Sequence, residues 1–282
     1  MILGPMTGAP SEALNCRTPP SSARSEALNR STRGQWELFR SHRERIEQLI
    51  LRHLPQPHRL LLQSTPTRLC ALGAGNCNDL DLRFLCDRVG EVHLLDIDAA
   101  ALEAAAARQK VVNIANLHRH APVDLTAAEN LPDRLGKFDV VLSSCVLSQL
   151  IGGLRDRLGA DHPRFRSERA KTVVQHLRLI LGLLAPGGCA ILVNDVLSSD
   201  TVPRLRQVPE DDLPRLMQQL VLEGKTFGCM DPGAMGSALD RLSFAGSRRW
   251  SAPWLWDLSP SRSYLVYGLV LGAGLVPLRG DR

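Results

Sequence analysis

Three scarcities narrow what this chain does. Lysine is nearly missing: all but four of the 34 basic residues are arginine, and the formal charge is only +5 over 282 residues. A nucleic-acid surface needs its charge gathered on one face, and a skew spread through the sequence reflects composition instead. Cysteine pairs are missing too. The seven cysteines, at 16, 70, 77, 86, 145, 189 and 229, include no CxxC and are odd in number. No cysteine zinc site, disulfide framework or other metal centre is therefore expected, and a reducing, cytoplasmic setting is. The longest apolar run, from Tyr264 to Leu278, is shorter than the roughly 18–20 residues of a membrane-spanning helix and reads as a buried strand plus a turn. The opening MILGPMTGAP has neither the charged start nor the apolar core of a secretory signal.

What is present supports one large domain. A hydrophobic content of 44% allows a full core. Residues 1–33 are rich in Pro, Ser, Ala and Arg without an apolar period, which predicts a disordered leader, although it repeats SEALN at 11–15 and 25–29. The domain is expected over 34–282. It begins with a helical extension at 35–54, where Trp36, Phe39, Ile46, Leu49, Ile50 and Leu54 share one face and Pro55 and Pro57 end the pattern.

In the core, 67–282, strands alternate with helices. Strands are predicted at 68–72, 92–95, 116–123, 138–143 and 189–193, with helices at 79–88, 99–112 and 168–184. A polar, arginine-rich loop is expected at 152–166. Further on, a helix at 210–223 precedes strands at 246–250 and 264–271. Such alternation implies an α/β doubly wound, mostly parallel seven-stranded sheet with helices on both faces. The last two strands have no helix-length segment between them and should close the sheet as an antiparallel hairpin.

The chemistry gathers where strands end. The first strand runs into Gly73-Ala74-Gly75, a turn whose glycines permit positive φ and leave room for a ligand against the backbone. A GxG alone equally fits a tight strand–helix turn with no ligand. The second strand ends in LLDID, which places Asp96 at its tip, 21 positions after Gly75, where a carboxylate can accept both hydroxyls of an adenosine ribose. Asp98 is better placed to cap the next helix. A dinucleotide oxidoreductase would want a third glycine, where this chain has Asn78 followed by Asp79, and a negative charge there disfavours pyrophosphate. S-adenosylmethionine carries ribose hydroxyls, an amino-acid tail and a sulfonium, but no phosphate.

At this point the chain resembles the class I S-adenosylmethionine-dependent methyltransferases. CALGAGNCNDL is similar to their first motif and VHLLDID to their second strand. APVDLT is similar to the third-strand region, GKFDVVLSSCVLSQL to the fourth strand and its loop, and LRLILGLLAPGGCAILVND to the helix, PGG turn and fifth strand. The order and spacing match from about Arg68 to Asp195, and the departure is the missing third glycine. The resemblance implies that Gly73, Ala74 and Gly75 pass the methionine part and that Asp96 holds the ribose. It further implies that Ile97 packs on adenine, that Asp124 and Leu125 flank the adenine edge, and that Ser144 lies near the sulfonium.

The acceptor is open. SSCV stands where many amino-group methyltransferases carry [DNS]PP[YFW], which argues against adenine- or amide-directed members. Cys145 reads as a packed thiol more readily than as a nucleophile. His162 and Asp195 are the candidates for a catalytic base. Six basic residues against three acidic ones over 155–171 form a possible lid or simply a solvated face. Trp254 and Trp256 read as hairpin packing or as a stacking surface. A small-molecule acceptor is the expectation, since no RNA-, DNA- or peptide-binding module is recognisable. Transfer to RNA or protein, a silent nucleoside-binding scaffold and, last, an NAD-dependent oxidoreductase are the alternatives.

Overall fold

A computed structural model describes residues 21–54 and 66–272 of the chain. Its centre is a mixed sheet of eight strands: β1 (Arg68–Leu72), β2 (Glu91–Leu95), β3 (Leu117–His120), β4 (Phe138–Ser144), β5 (Leu184–Ser198), β6 (Ser247–Trp250), β7 (Trp254–Ser259) and β8 (Arg262–Gly272). Their order across the sheet is β3-β2-β1-β4-β5-β8-β6, with β7 also paired to β8. The first five run parallel, and β8 pairs antiparallel with β5, β6 and β7. This is the expected doubly wound sheet with its antiparallel close. The seven expected strands are joined by an eighth, β7, which forms a hairpin with β8.

Nine helices surround the sheet among the described residues: α1 (Ser21–Thr32), α2 (Arg40–His53), α3 (Leu82–Cys86), α4 (Ala99–Arg108), α5 (Leu131–Leu135), α6 (Val146–Leu158), α7 (Phe165–Leu183), α8 (Leu213–Leu222) and α9 (Pro232–Arg241). Side chains alternate across each central strand, so β1 sends Leu69 and Ala71 to one core and Cys70 and Leu72 to the other. The first core is filled by α2, α3 and α4, the second by α5, α6, α7 and α9. With both faces covered, the central strands carry almost unbroken apolar runs, which is why they are readable from sequence.

Local chemistry sets the element ends. Asp81, Asp98 and Asp231 cap α3, α4 and α9 by accepting the backbone N–H three residues on, at 2.8, 3.0 and 3.0 Å. The PGG segment lies within β5, where Asp139 opposes the four residues 185–188 as a wide irregularity before pairing resumes at Val140 and Cys189. The polar stretch expected as a loop at 152–166 is mostly helical. It forms the second half of α6 and the start of α7, and a short link joins them. The helix expected at 79–88 begins only after its Asp81 cap.

The leader differs from expectation as well. Residues 21–32, read as part of a disordered stretch, form α1, while residues 1–20 and the tail beyond 272 lie outside the described residues. No helix among the described residues is long and apolar enough to cross a membrane.

The helical extension is joined to the end of the chain by aromatics. His42 of α2 stacks on Trp256 with centroids 4.9 Å apart, and Trp256 meets Phe39 edge-on at 5.4 Å. The Trp254 indole donates to His42 Nδ1 at 3.0 Å. Burial pushes His42 down to about 3, so its ring is a neutral acceptor. Trp254→Phe keeps the ring contact and removes the donor, leaving a buried nitrogen unpaired at a cost of about 1–3 kcal/mol. Urea unfolding should show a loss in that range, whereas Trp250→Phe, on an exposed ring of β6, should leave stability nearly unchanged.

Candidate functional site

Loops at the carboxyl ends of β1, β2 and β4 converge on one cavity of about 420 Å³. Gly73, Asp96, Ile97, Asp124 and Leu125, five of the residues singled out in the sequence, line it. A smaller recess of about 60 Å³ adjoins it, lined by Gly73, Ala74, Gly75, Asp79, Ser144 and Cys145. Gly73 and Gln149 border both spaces. Every residue expected at a cofactor site therefore faces one space or the other.

Asp96 organises the junction. One carboxylate oxygen accepts the Gly75 N–H at 2.7 Å, and the other accepts the Asp98 N–H at 2.8 Å. Burial holds its carboxyl above the usual range, and these backbone bonds partly offset that. An ionised carboxylate offers about four lone-pair sites, more than its backbone donors use, so acceptor capacity remains for ligand hydroxyls. Asp124 Oδ1 accepts the backbone N–H and hydroxyl of Thr126 at 2.8 and 2.7 Å, which fixes the loop after β3 against the cavity.

The two glycines of the turn make room for different neighbours. A Cβ on Gly73 would lie 2.8 Å from Val146, and one on Gly75 would lie 2.6 Å from the side chain of Asn29 on α1. Both have positive φ, +63° and +46°. The space beside the Gly75 Cα is taken by Asn29 of α1, while Gly75 itself lines the recess.

Helix α1 roofs the site and is held by polar contacts. Asn76 Nδ2 donates to the Asn29 carbonyl at 2.6 Å and to Thr32 Oγ1 at 3.1 Å, and Asn78 Nδ2 donates to the Thr32 carbonyl at 2.7 Å. Asn29 Nδ2 reaches Asp98 at 3.1 Å, and Arg24 pairs with Asp156 on α6. Arg108 and Arg43 brace the turn from behind, donating to the carbonyls of Asn76 and Asn78 at 2.6 and 2.7 Å. Asn78 occupies the place of the missing third glycine, and there it fastens the roof.

Other candidates are placed less favourably. His162 lies in the link between α6 and α7, where its Nδ1 accepts the Arg164 N–H at 3.2 Å, and it lines neither space. Asp195 is buried at the end of β5 and lines neither space either. Burial raises its carboxyl to about 6, with the Ser148 hydroxyl opposing, and Oδ1 has no hydrogen-bond partner among the described residues. Cys145 sits in left-handed backbone, φ 52°, at the start of α6. Burial and the carboxylates of Asp195 and Asp79 hold its thiol well above the usual range, so a thiolate nucleophile is disfavoured. The basic run is not one loop: Arg155 and Arg157 lie on α6, Arg164 in the link, and Arg166, Arg169 and Lys171 on α7.

The sequence did not reveal several lining residues. Arg24 and Ser25 come from the supposed leader, and Gln149 and His176 from helices. His176 Nε2 lies 2.8 Å from Ser143 Oγ, and burial alone lowers its pKa to about 4. The second SEALN copy, read only as a repeat within a disordered leader, supplies Ser25 and Asn29 of α1.

No family model matches the sequence, and no curated protein matches it. Solved structures do resemble it. A plantazolicin methyltransferase, BpumL, with SAH and a desmethyl analogue aligns over 90% of this chain and 90% of its own, at 13% identity and a TM-score of 0.47. An SAM-dependent methyltransferase from Aquifex aeolicus aligns over 88% and 98%, at 11% identity and 0.46. An O-methyltransferase family protein from Burkholderia thailandensis aligns at 14% identity and 0.41 over 90% of this chain, which spans 59% of that protein's length. The fold itself, a mostly parallel α/β sheet with antiparallel C-terminal strands, follows from this chain's own strand pairing.

Asp195 gives the site's stability a pH dependence. With its folded carboxyl raised to about 6, the folded chain keeps a proton that the unfolded chain has already lost. Its contribution to stability therefore falls as pH rises from the ordinary carboxylate range through about 6, and the penalty is complete above that. Asp195→Asn removes the penalty. Its thermal midpoint should gain on wild type between about pH 4 and about pH 7 and hold that gain at higher pH. A difference that does not vary with pH would refute the assignment.

Proposed function

We propose that the protein is a methyltransferase that uses S-adenosylmethionine and acts on a small-molecule acceptor. The observation that carries this reading is Asp96, buried in the cavity wall, its carboxylate fixed by the Gly75 and Asp98 N–H groups with acceptor capacity left for ligand hydroxyls. The cavity of about 420 Å³ falls within the roughly 300–1,000 Å³ of small-molecule sites. Its lining fits an adenosine: Asp96 for the ribose, Ile97 and Leu125 for the base, and Asp124 at the base edge. In the recess, Asp79 is the natural partner of an α-ammonium group. Burial raises its carboxyl and the Ser144 hydroxyl counteracts this, so a cationic partner would relieve a real cost.

The bound cofactor would supply an already activated methyl group. This chain's residues then have to align donor and acceptor and keep water out, and positioning of that kind contributes much of the acceleration in such displacements. Phe39, Trp256 and Leu258 line the recess together with Ser144 and Cys145. Apolar side chains there suit a small, partly apolar acceptor. The six cysteines among the described residues are all free, which supports a reducing, cytoplasmic setting.

Calorimetry with S-adenosylhomocysteine checks the cofactor. Wild type should bind it, and Asp96→Ala should bind at least about tenfold more weakly, the loss of one charge-assisted hydrogen-bonding group. Tight NAD binding with no response to the sulfur ligand would overturn the reading. Radiolabelled cofactor with fractionated lysate should place the label among small molecules. Label in the RNA or protein fraction would reassign the acceptor, and binding without label anywhere would point to a silent scaffold.

A further inference from the structure

On the flank of the sheet four side chains of β2 and β3 meet, none of which lines the cavity. Glu91 and His93 are two apart on β2, and His118 and His120 are two apart on β3. Pairing of His93 with His118 therefore puts all four on one face. His93 is buried, and the others are partly exposed. Its Nε2 lies 3.2 Å from Glu91 Oε2, and its Nδ1 lies 3.0 Å from His120 Nε2. Glu91, His93 and His118 each bring a ligand atom within 4.8 Å of the other two. No step of the proposed methyl transfer uses any of them.

We infer that Glu91, His93 and His118 form a binding site for a divalent transition-metal ion, zinc being the reference case, with His120 orienting His93 from behind. Two imidazoles and a carboxylate suit zinc, nickel or copper, and not magnesium or calcium, which favour all-oxygen sets. Three protein ligands leave a fourth position for water. Around a tetrahedral ion the ligand atoms would stand about 3.3 Å apart. Glu91 and His118, both partly exposed, can close to that distance by side-chain rotation.

The hydrogen bonds already present suit this change. Without an ion, His93 donates from Nε2 to Glu91 and accepts from His120. With one, His93 turns its Nε2 lone pair to the metal and donates from Nδ1 to His120, whose own proton sits on Nδ1. Both rings stay neutral and only the tautomers change. A metal-bound histidine commonly needs such a partner for its other nitrogen.

Arg68 donates to Glu91 Oε2 at 2.7 Å, which aims the carboxylate while its charge weakens the site. The ion would fasten edge strand β3 to β2. His120 is also the residue whose carbonyl accepts the Asp96 N–H at 3.2 Å, so the clip sits one step behind the cavity.

The test uses the full, tag-free chain, stripped with chelator, dialysed against zinc and assayed for metal content. Wild type should hold close to one zinc per chain and show a raised thermal midpoint. His118→Ala and Glu91→Gln should each weaken zinc binding at least tenfold, while His162→Ala should bind as wild type does. X-ray absorption at the zinc edge of wild type should show two imidazole nitrogens and no sulfur, a readout independent of whether the variants fold. Failure of wild type to bind zinc stoichiometrically, full retention by folded His118→Ala, or a sulfur-containing shell would overturn the site. S-adenosylhomocysteine binding is a separate measurement, so the two readings fail independently.

Discussion

The carboxylate of Asp96 joins two strand ends that the sheet by itself only sets side by side. It accepts the backbone N–H of Gly75 from the turn after β1 and of Asp98 from the turn after β2. Asp98 is then positioned to cap α4 and to receive Asn29 from α1. One buried acid thus sets the course of both turns, the start of a helix and the seat of another. Burial works against its charge, and the backbone donors of the two turns offset part of this cost.

The roof over the site is of a different kind from the core. Helix α1 has few apolar side chains to bury, and its anchors are the side chains of Asn76, Asn78 and Asp98 together with an ion pair to α6. Asn76 and Asn78 come from the turn itself. The same short segment therefore shapes the floor of the site and holds its cover. Gly75 shows this most directly, because any side chain there would strike Asn29.

Which parts were legible in the sequence follows from the physics of burial. Central strands covered on both faces read as continuous apolar runs, all seven expected strands are present, and Asp98 reads correctly as a cap. The eighth, β7, escaped because Trp254 and Trp256 pack on a helix more than 200 residues earlier, a contact no local period reports. Helix α1 escaped because it is polar and its partners lie 44 or more positions away. The second half of α6 carries Gly152, Gly153 and three charged residues, yet it is helical because its buried face packs beneath the cavity. His176 was hidden within the apolar stripe of α7. Glu91, His93 and His118 become neighbours only once the register of β2 and β3 is known.

The two ends of the sheet share a trait that bears on the arginine-rich composition. Edge strands β3 and β6 are each only four residues long, Leu-His-Arg-His and Ser-Arg-Arg-Trp. An open strand edge is a template for pairing with another chain, and short edges bearing cationic side chains resist it. Arg119 at one end and Arg248 and Arg249 at the other put positive charge where a second molecule would have to dock its backbone. Such edges disfavour strand-to-strand pairing, with Arg119 and Arg248 held along them by Glu103 and Asp240.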